Sequence, residues 1–215
     1  MDYGSPDGRT GAGQSRVSLI STASEVLASL RHENVKGCLI GGLAVSARCD
    51  PRFTRDIDIA VAVDTDERAE ALVHALCASG LRMVGLVEQE AVGRMAMARL
   101  STADGLSVDL LIASSGIETE VVSAAETLEI VLGVLLPVAR TGHLIALKLL
   151  SVAPGRETDA ADLKNLSAIA TEDEWSLASE AVKHIQDRGF ARGRQLEVEL
   201  QKLRLARGQD NEDSA

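Results

Sequence analysis

The segment at residues 56–63, with the sequence DIDIAVAV, constrains the fold more than any other part of this 215-residue chain. Its apolar residues, first alternating and then continuous, predict a buried β-strand. Asp56 and Asp58 lie two residues apart, so a strand places both carboxylates on one face. Two like charges there require compensation, for which Mg²⁺ is suited because it prefers oxygen ligands. The alternative is an edge strand whose acids face solvent while Ile57 and Ile59 face the core.

Two further features accompany this strand. Gly41 and Gly42 follow a short apolar run and precede a predicted helix at residues 43–49. A glycine turn at a helix N-terminus lets the backbone approach a phosphate group, although a plain strand-to-helix turn has the same sequence. Asp109 interrupts a later apolar strand, LSVDLLI. A third carboxylate can complete a two-metal site, and the alternative is a strand-end or edge residue.

The order of the predicted elements indicates an α/β domain followed by helices. Strands are predicted at residues 37–42, 56–63, 81–87, 95–100, 106–112, 127–132 and 135–138. Helices are predicted at residues 17–30, 43–49, 65–79, 141–153, 156–170, 173–187 and 191–207. We therefore expect a disordered tail, an α/β domain, a helical domain and an acidic tail, at residues 1–16, 17–139, 140–207 and 208–215.

Composition narrows the class of protein. Hydrophobic residues make up 46% of the chain and charged residues 25%, as in soluble globular proteins. Aromatic residues make up only 2% of the chain, so few side chains are available to stack on nucleic-acid bases. The net charge of −10 disfavours a general electrostatic attraction to nucleic acid. The three cysteines form no CxxC motif, which argues against a disulfide framework or zinc site. The most apolar stretch, residues 130–139, is too short for a membrane span, and the polar N-terminus carries no signal peptide, so we expect a cytoplasmic protein without membrane contact.

The chain contains, in this order, the glycine pair, thirteen intervening residues, the Asp56-Ile57-Asp58 triplet and the later strand acid. This arrangement resembles the nucleotidyltransferase superfamily typified by DNA polymerase β. The segment TRDIDI at residues 54–59 is similar to the subgroup that includes the AbiEii toxins of type IV toxin–antitoxin systems. That subgroup carries a helical lysine followed by an arginine and an acidic repeat. The residues in the same order here are Lys148, Arg156, Asp159 and Asp162.

The resemblance covers about residues 37–165 and has two departures. Many relatives have Gly-Ser where this chain has Gly41-Gly42, so a serine hydroxyl is missing from the turn. Asp162 is followed by Leu-Lys instead of the aromatic step common in relatives. Neither departure affects the three strand acids.

The resemblance implies a nucleotidyltransferase-type mixed sheet with flanking helices, followed by a C-terminal helical region. It also implies an Mg²⁺-dependent enzyme that transfers NMP from an NTP, such as ATP, to an acceptor hydroxyl and releases pyrophosphate. In that mechanism Asp56, Asp58 and Asp109 hold two Mg²⁺ ions, and Asp109 lies beside the attacking hydroxyl as ligand and possible base. Gly41 and Gly42 would cradle the β- and γ-phosphates.

The nucleotide would also contact residues outside the strand acids. Lys148 lies in the apolar run LIALKLL, where its buried stem can extend the ammonium group into a cleft. An exposed lysine on the one polar stripe of the helix is equally compatible with the sequence. Arg156, Asp159 and Asp162 recur every three residues and would position Lys148 or contact the nucleotide, unless they form a surface charge ladder. Arg55 abuts Asp56, which makes it the better phosphate contact of the two arginines that flank the strand.

The acceptor is left open between two enzymatic hypotheses. The first is a toxin that modifies a tRNA 3′ end and has a cognate antitoxin protein. The second is nucleotidylation of a small molecule such as an aminoglycoside. The C-terminal part carries six basic residues that either track RNA or form a solvated helix face with Glu197 and Glu199. They are Arg188, Arg192, Arg194, Lys202, Arg204 and Arg207. A third, non-enzymatic hypothesis is a binding module that keeps the fold without activity.

Overall fold

The structure, a computed structural model, describes residues 9–90, 92–152 and 157–212. Its centre is a seven-stranded mixed sheet with the strand order β3-β4-β5-β2-β1-β7-β6. The strands are β1 (Gly37–Ile40), β2 (Asp56–Val61), β3 (Arg82–Gln89), β4 (Arg94–Ser101), β5 (Ser107–Leu111), β6 (Glu126–Val131) and β7 (Val134–Val138). The helices are α1 (Arg9–His32), α2 (Gly41–Arg48), α3 (Asp66–Ala78), α4 (Glu118–Ser123), α5 (Thr141–Ser151), α6 (Glu157–Ile169), α7 (Glu172–Asp187) and α8 (Leu196–Glu212). The predicted fold class, a mixed α/β sheet with flanking helices and a C-terminal helical region, is confirmed.

Strand β2 lies in the middle of the sheet and not at its edge. It runs antiparallel to β1 and parallel to β5, and β5 runs antiparallel to β4. Ile57 and Ile59 are fully buried in the core, as the alternation in the sequence predicts. The edge-strand alternative for Asp56 and Asp58 is therefore wrong.

The apolar core is continuous across the predicted domain boundary at residue 139. The same cluster contains Leu27 of α1, Leu110 of β5, Ile145 of α5 and Trp175 of α7. Helix α5 packs against both α6 and α7. The C-terminal helices are thereby joined to the sheet by shared apolar packing, which is the main stabilising contribution in a chain of this size.

Three helices differ from the prediction. Helix α1 begins at Arg9 and α8 ends at Glu212, so both extend into segments predicted as tails, because a formed helix adds residues at its ends at little cost. Helix α4 was not predicted. It has only six residues, too few for an apolar period, and its first residue, Glu118, is buried and accepts hydrogen bonds from the backbone N–H groups of Ser114 and Ser115.

Within the described ranges, no helix has both the length and the apolar character that a membrane span requires.

Candidate active site

The three strand acids lie in one cleft of about 560 Å³ at the face of the sheet. Asp58 and Asp109 are register partners on the parallel strands β2 and β5, so their side chains are neighbours on the same face. Asp56 lies two residues before Asp58, at the exposed start of β2. Asp109 is only 6% exposed. The sequence predicted a common face for Asp56 and Asp58, and the sheet order adds Asp109 to it.

The glycine pair is packed against Asp58. Gly41 has a φ of +60°, and a Cβ atom on it would lie 1.9 Å from Oδ2 of Asp58. The backbone N–H of Gly42 donates a hydrogen bond to Asp58. A Cβ atom on Gly42 would lie 2.6 Å from Oγ1 of Thr54. Gly41 therefore requires glycine, whereas a side chain on Gly42 would require Thr54 to shift. The turn serves first to hold the Asp58 carboxylate.

Asp58 carries a negative charge that its surroundings oppose. Burial raises the pKa of its carboxyl group to about 6, and the negative charges of Asp109 and Asp56 add to that effect. Lys148 and the hydrogen bond from Gly42 act in the opposite direction without cancelling it. A carboxylate in this state gains from a bound cation, because the cation offsets both desolvation and like-charge repulsion.

Asp109, in contrast, already has a cationic partner. Arg99 of β4 is its register partner on the other side and donates from Nε to Oδ1 at 2.8 Å and from Nη2 to Oδ2 at 2.6 Å. This hydrogen bonding raises the pKa of the Arg99 guanidinium. Arg99 was not among the predicted site residues, although a lone arginine within the apolar strand predicted at residues 95–100 was an available signal.

Lys148 is held at the cleft by two buried carboxylates. Its Nζ atom lies 2.6 Å from Oδ1 of Asp159 and 2.7 Å from Oδ2 of Asp162. Asp159 is 3% exposed and Asp162 is fully buried, so the predicted alternative of a surface charge ladder is wrong. Asp159 lines the cleft together with Lys148. Arg156, which the sequence grouped with these two acids, lies outside the described residues.

Asp162 also binds a second cation from the sheet side of the cleft. Arg52 donates from Nε to Oδ1 at 2.6 Å and from Nη2 to Oδ2 at 2.7 Å. Burial raises the pKa of the Asp162 carboxyl group, but the hydrogen bonds from Arg52 and Lys148 and their positive charges outweigh it and lower the pKa overall. Asp162 is therefore a positioning residue that fixes Lys148 and Arg52.

Arg55 and Phe53 lie next to each other in the lining of the cleft. Both line it, as Arg52 does, and the Arg55 guanidinium carbon lies 5.4 Å from the centre of the Phe53 ring. Because Arg52 is engaged by Asp162, Arg55 is the better placed of the two arginines to meet a phosphate.

The donor set fits a hard divalent cation in part. Asp56 and Asp58 offer carboxylate oxygens on one face, and burial and the neighbouring acids, which raise the pKa of Asp58, are effects that a bound cation would offset. Across the described ranges, no three or more His, Cys, Asp and Glu side chains are grouped as a metal site. Asp109 accepts a bidentate contact from Arg99, which leaves one acceptor site on each of its oxygens. Coordination of a cation by Asp109 therefore stays a prediction, and such a cation would lie close to the Arg99 guanidinium.

The C-terminal basic residues do not form one run. Arg188 follows α7 and pairs with Glu120 at 2.6 Å, and Arg194 lies before α8 and pairs with Glu199. Arg204, on α8, pairs with Glu172. A continuous basic helix was predicted as one alternative, but the turn before Leu196 divides it and acidic partners neutralise much of its charge.

No protein-family model matches the chain, and no curated protein sequence matches it. Solved structures with a similar fold include an antigenic nucleotidyltransferase-like protein from Paracoccidioides brasiliensis, at 17% identity and a TM-score of 0.48, with 80% of this chain and 91% of that chain covered. The antibiotic-resistance factor ANT(2'')-Ia is similar at 15% identity and a TM-score of 0.46, with 93% and 99% covered. The lincosamide antibiotic adenylyltransferase LnuA, bound to lincomycin, is similar at 16% identity and a TM-score of 0.44, with 68% and 94% covered. The activity of the present chain is therefore inferred from its own cleft.

Proposed function

We propose that this protein is a divalent-metal-dependent nucleotidyltransferase that moves NMP from an NTP to an acceptor hydroxyl and releases pyrophosphate. The observation that carries the proposal is the register pairing of Asp58 with Asp109, beside Asp56, in a cleft that also contains Lys148. Three carboxylates facing one ammonium provide sites for cations and for the phosphates that the cations bind.

The chain's own residues divide into a metal side and a phosphate side. Asp56 and Asp58 would hold the cation, with Asp109 joining them and accepting the proton of the attacking hydroxyl. When bound, divalent cations neutralise the triphosphate and lower the pKa of the acceptor hydroxyl. Gly42 lines the same cleft, and its N–H, at the start of α2, orients the Asp58 carboxylate through its hydrogen bond.

Lys148 is suited to bind the triphosphate because its position is fixed before the nucleotide arrives. Asp159 and Asp162 hold Nζ from the side of α6, so little side-chain entropy is lost on binding. Arg55 also lines the cleft and would supply a second positive charge. Arg156 is proposed as a nucleotide contact on the sequence resemblance alone.

For the acceptor, we propose first a tRNA 3′ end, which would make the protein a toxin with a cognate antitoxin. The support is the resemblance of residues 54–59 and of the Lys148 to Asp162 order to the AbiEii subgroup. In this case the RNA would be held through phosphate contacts and shape, since the chain has one Trp, one Tyr and two Phe.

The second candidate acceptor is a small molecule, and a specific observation favours it. Arg188, Arg194 and Arg204 are engaged by Glu120, Glu199 and Glu172, so the C-terminal part offers fewer free cations to an RNA backbone than its sequence indicates. A small polycationic acceptor would instead meet the net negative charge of the chain.

The test is transfer of label from each of the four α-labelled NTPs with Mg²⁺, in the presence of total tRNA or an aminoglycoside panel. We expect label in one acceptor fraction, lost in D56N/D58N and kept in D64N, which removes one exposed acid just beyond the same strand. Label in the double variant at the wild-type level would contradict the proposal. Label only in the small-molecule fraction would exclude RNA as the acceptor, and absence of both transfer and Mg²⁺–nucleotide binding would favour a non-enzymatic module.

A further inference from the structure

Strand β3 forms one edge of the sheet and exposes apolar side chains along its length. It spans eight residues, and its outer side has no neighbouring strand among the residues that the structure describes. Four of its side chains are about half exposed: Met83 (54%), Val84 (62%), Leu86 (48%) and Val87 (48%). Soluble proteins protect such edges with central charges, proline or a covering segment, because an open apolar edge pairs with other chains.

The charges of β3 lie near its two ends and have opposite signs. Arg82 is the first residue of the strand and Glu88 the seventh. In the described part of the chain, neither takes part in an ion pair. Their positions are symmetric about Gly85, which lies three residues from each.

Gly85 leaves open space beside the strand and lies next to a shift in the register with β4. A Cβ atom there would meet nothing within 4 Å, and its φ lies outside the left-handed region. Glycine weakens a strand interior because it adds backbone entropy and packs no side chain, so it commonly marks a bulge or a place where another backbone approaches closely.

We propose that β3 pairs antiparallel with β3 of a second copy of this chain, about a two-fold axis at Gly85. This register places Arg82 opposite Glu88 of the second copy, and the symmetry repeats that pair. It also sets Met83 opposite Val87 and Val84 opposite Leu86, so each apolar side chain gains an apolar partner. The two seven-stranded sheets then form one continuous sheet through the dimer.

The pairing of β3 with β4 is irregular on both sides of Gly85. It shifts register between Met83 and Gly85 and between Val87 and Glu88. Such bulges bend an edge strand and increase its local twist, so the second copy, whose β3 carries the same two irregularities, would have to follow the same bend.

The proposal concerns a surface separate from the cleft and holds whether or not nucleotidyl transfer is found. The first measurement is the mass in solution of the full chain by light scattering or sedimentation equilibrium across a range of concentrations. We expect twice the chain mass, falling to the single mass in V84K/L86K. The matched control is L132K/L135K, which adds the same charges at exposed leucines near the β6–β7 turn and should remain dimeric.

A charge exchange identifies the partner as a second copy. R82E and E88R should each be monomeric, because each places like charges opposite one another in a homodimer. A mixture of R82E with E88R should form a dimer, since every facing pair is then opposite in charge. Circular dichroism should show that the monomeric variants all unfold at the same temperature, because the substituted side chains of β3 are exposed.

Three outcomes would overturn the proposal. The first is a wild-type chain that stays monomeric at all concentrations. The second is a dimer that V84K/L86K leaves intact, which would place the interface elsewhere. The third is a mixture of R82E and E88R that remains monomeric, which would exclude pairing in the register centred on Gly85.

Discussion

The guanidinium of Arg99 holds both carboxylate oxygens of Asp109, from Nε at 2.8 Å and from Nη2 at 2.6 Å. Asp109 is thus compensated by a cation of its own chain, while its register partner Asp58 is not. A divalent cation that binds Asp109 would therefore meet the positive charge of Arg99 at the same two oxygens. Arg99 and the cation would compete for that carboxylate.

We predict that R99M binds Mn²⁺ at least about tenfold more tightly than the wild type, a change of roughly 1.4 kcal/mol. The methionine keeps an apolar stem and removes the competing charge. Isothermal titration calorimetry measures the affinity directly. R94M removes an arginine of the same strand that pairs with Asp66 instead, and it should leave the affinity unchanged. Weaker Mn²⁺ binding in R99M would mean that Arg99 supports the metal site instead of competing for it.

We predict that D58N is more stable than the wild type at neutral pH, by roughly 1–3 kcal/mol. The raised pKa of Asp58 means that its ionised form is disfavoured in the folded state, so the wild type gains stability as the pH falls from about 6 to about 4. Asparagine removes the charge and keeps an acceptor for Gly42. Urea unfolding at pH 7 and pH 4.5 tests both points.

The same substitution should lower nucleotidyl transfer at least about a hundredfold, since loss of a metal ligand costs no less than loss of its supporting groups. D64N is the matched control for stability and for transfer. A destabilised D58N at neutral pH would show that the Asp58 charge is compensated after all.

We predict that G41A loses both stability and activity, whereas G133A loses only a little stability. Both glycines have positive φ, at +60° and +80°, so alanine is strained at either position by roughly 1–2 kcal/mol. Only at Gly41 would the added Cβ atom meet Asp58, 1.9 Å from Oδ2, while at Gly133 it meets nothing within 4 Å. The difference in unfolding free energy between the two variants measures the crowding at Asp58. Equal losses would show that the contact relaxes.

We predict that buried His143 makes the protein less stable in acid. Burial lowers the pKa of this imidazole to about 4, so between about pH 6.5 and pH 4 the unfolded chain binds a proton that the folded chain does not. Stability should fall through that window by roughly 3 kcal/mol and level off below it. The neighbouring charges of Glu174, Glu120 and Glu180 favour the protonated imidazole, and that of Arg140 opposes it.

The difference between wild type and H143Q isolates this effect from that of Asp58, which has the opposite sign in the same range. H74Q, which replaces an exposed histidine of α3, should show the wild-type profile. A difference between wild type and H143Q that does not change from pH 7 to pH 4 would show that the folded protein accepts the proton as readily as the unfolded chain.

Much of the fold was predictable because its signals are local. The DIDIAVAV segment predicted β2. Thr65 and the acidic residues after it predicted the start of α3, where Thr65 accepts a hydrogen bond from the backbone N–H of Arg68. The candidate site was predictable only as far as its residues follow one another in such patterns. Asp56, Asp58, Asp109 and Lys148 were predicted in this way, and all four line the cleft.

What could not be predicted depends on contacts between distant parts of the chain. The pairing of Arg52 with Asp162 joins residues 110 positions apart, and no local period indicates it. The choice of Arg55 over Arg52 as a phosphate contact was based on sequence adjacency, whereas the structure supports it because Asp162 engages Arg52. The position of Arg99 beside Asp109 follows from the order of β4 and β5 in the sheet, which the sequence pattern left undetermined.

The fully buried Asp162 has a consequence for how the protein unfolds. It lies on α6 and binds Arg52 before β2 and Lys148 on α5, so one carboxylate ties three separate stretches of chain together. Loosening any one of them leaves a buried charge with a missing partner, which is costly. We therefore expect the segments on either side of residue 139 to unfold together, in a single transition. The cleft should not persist once the helices behind it have unfolded.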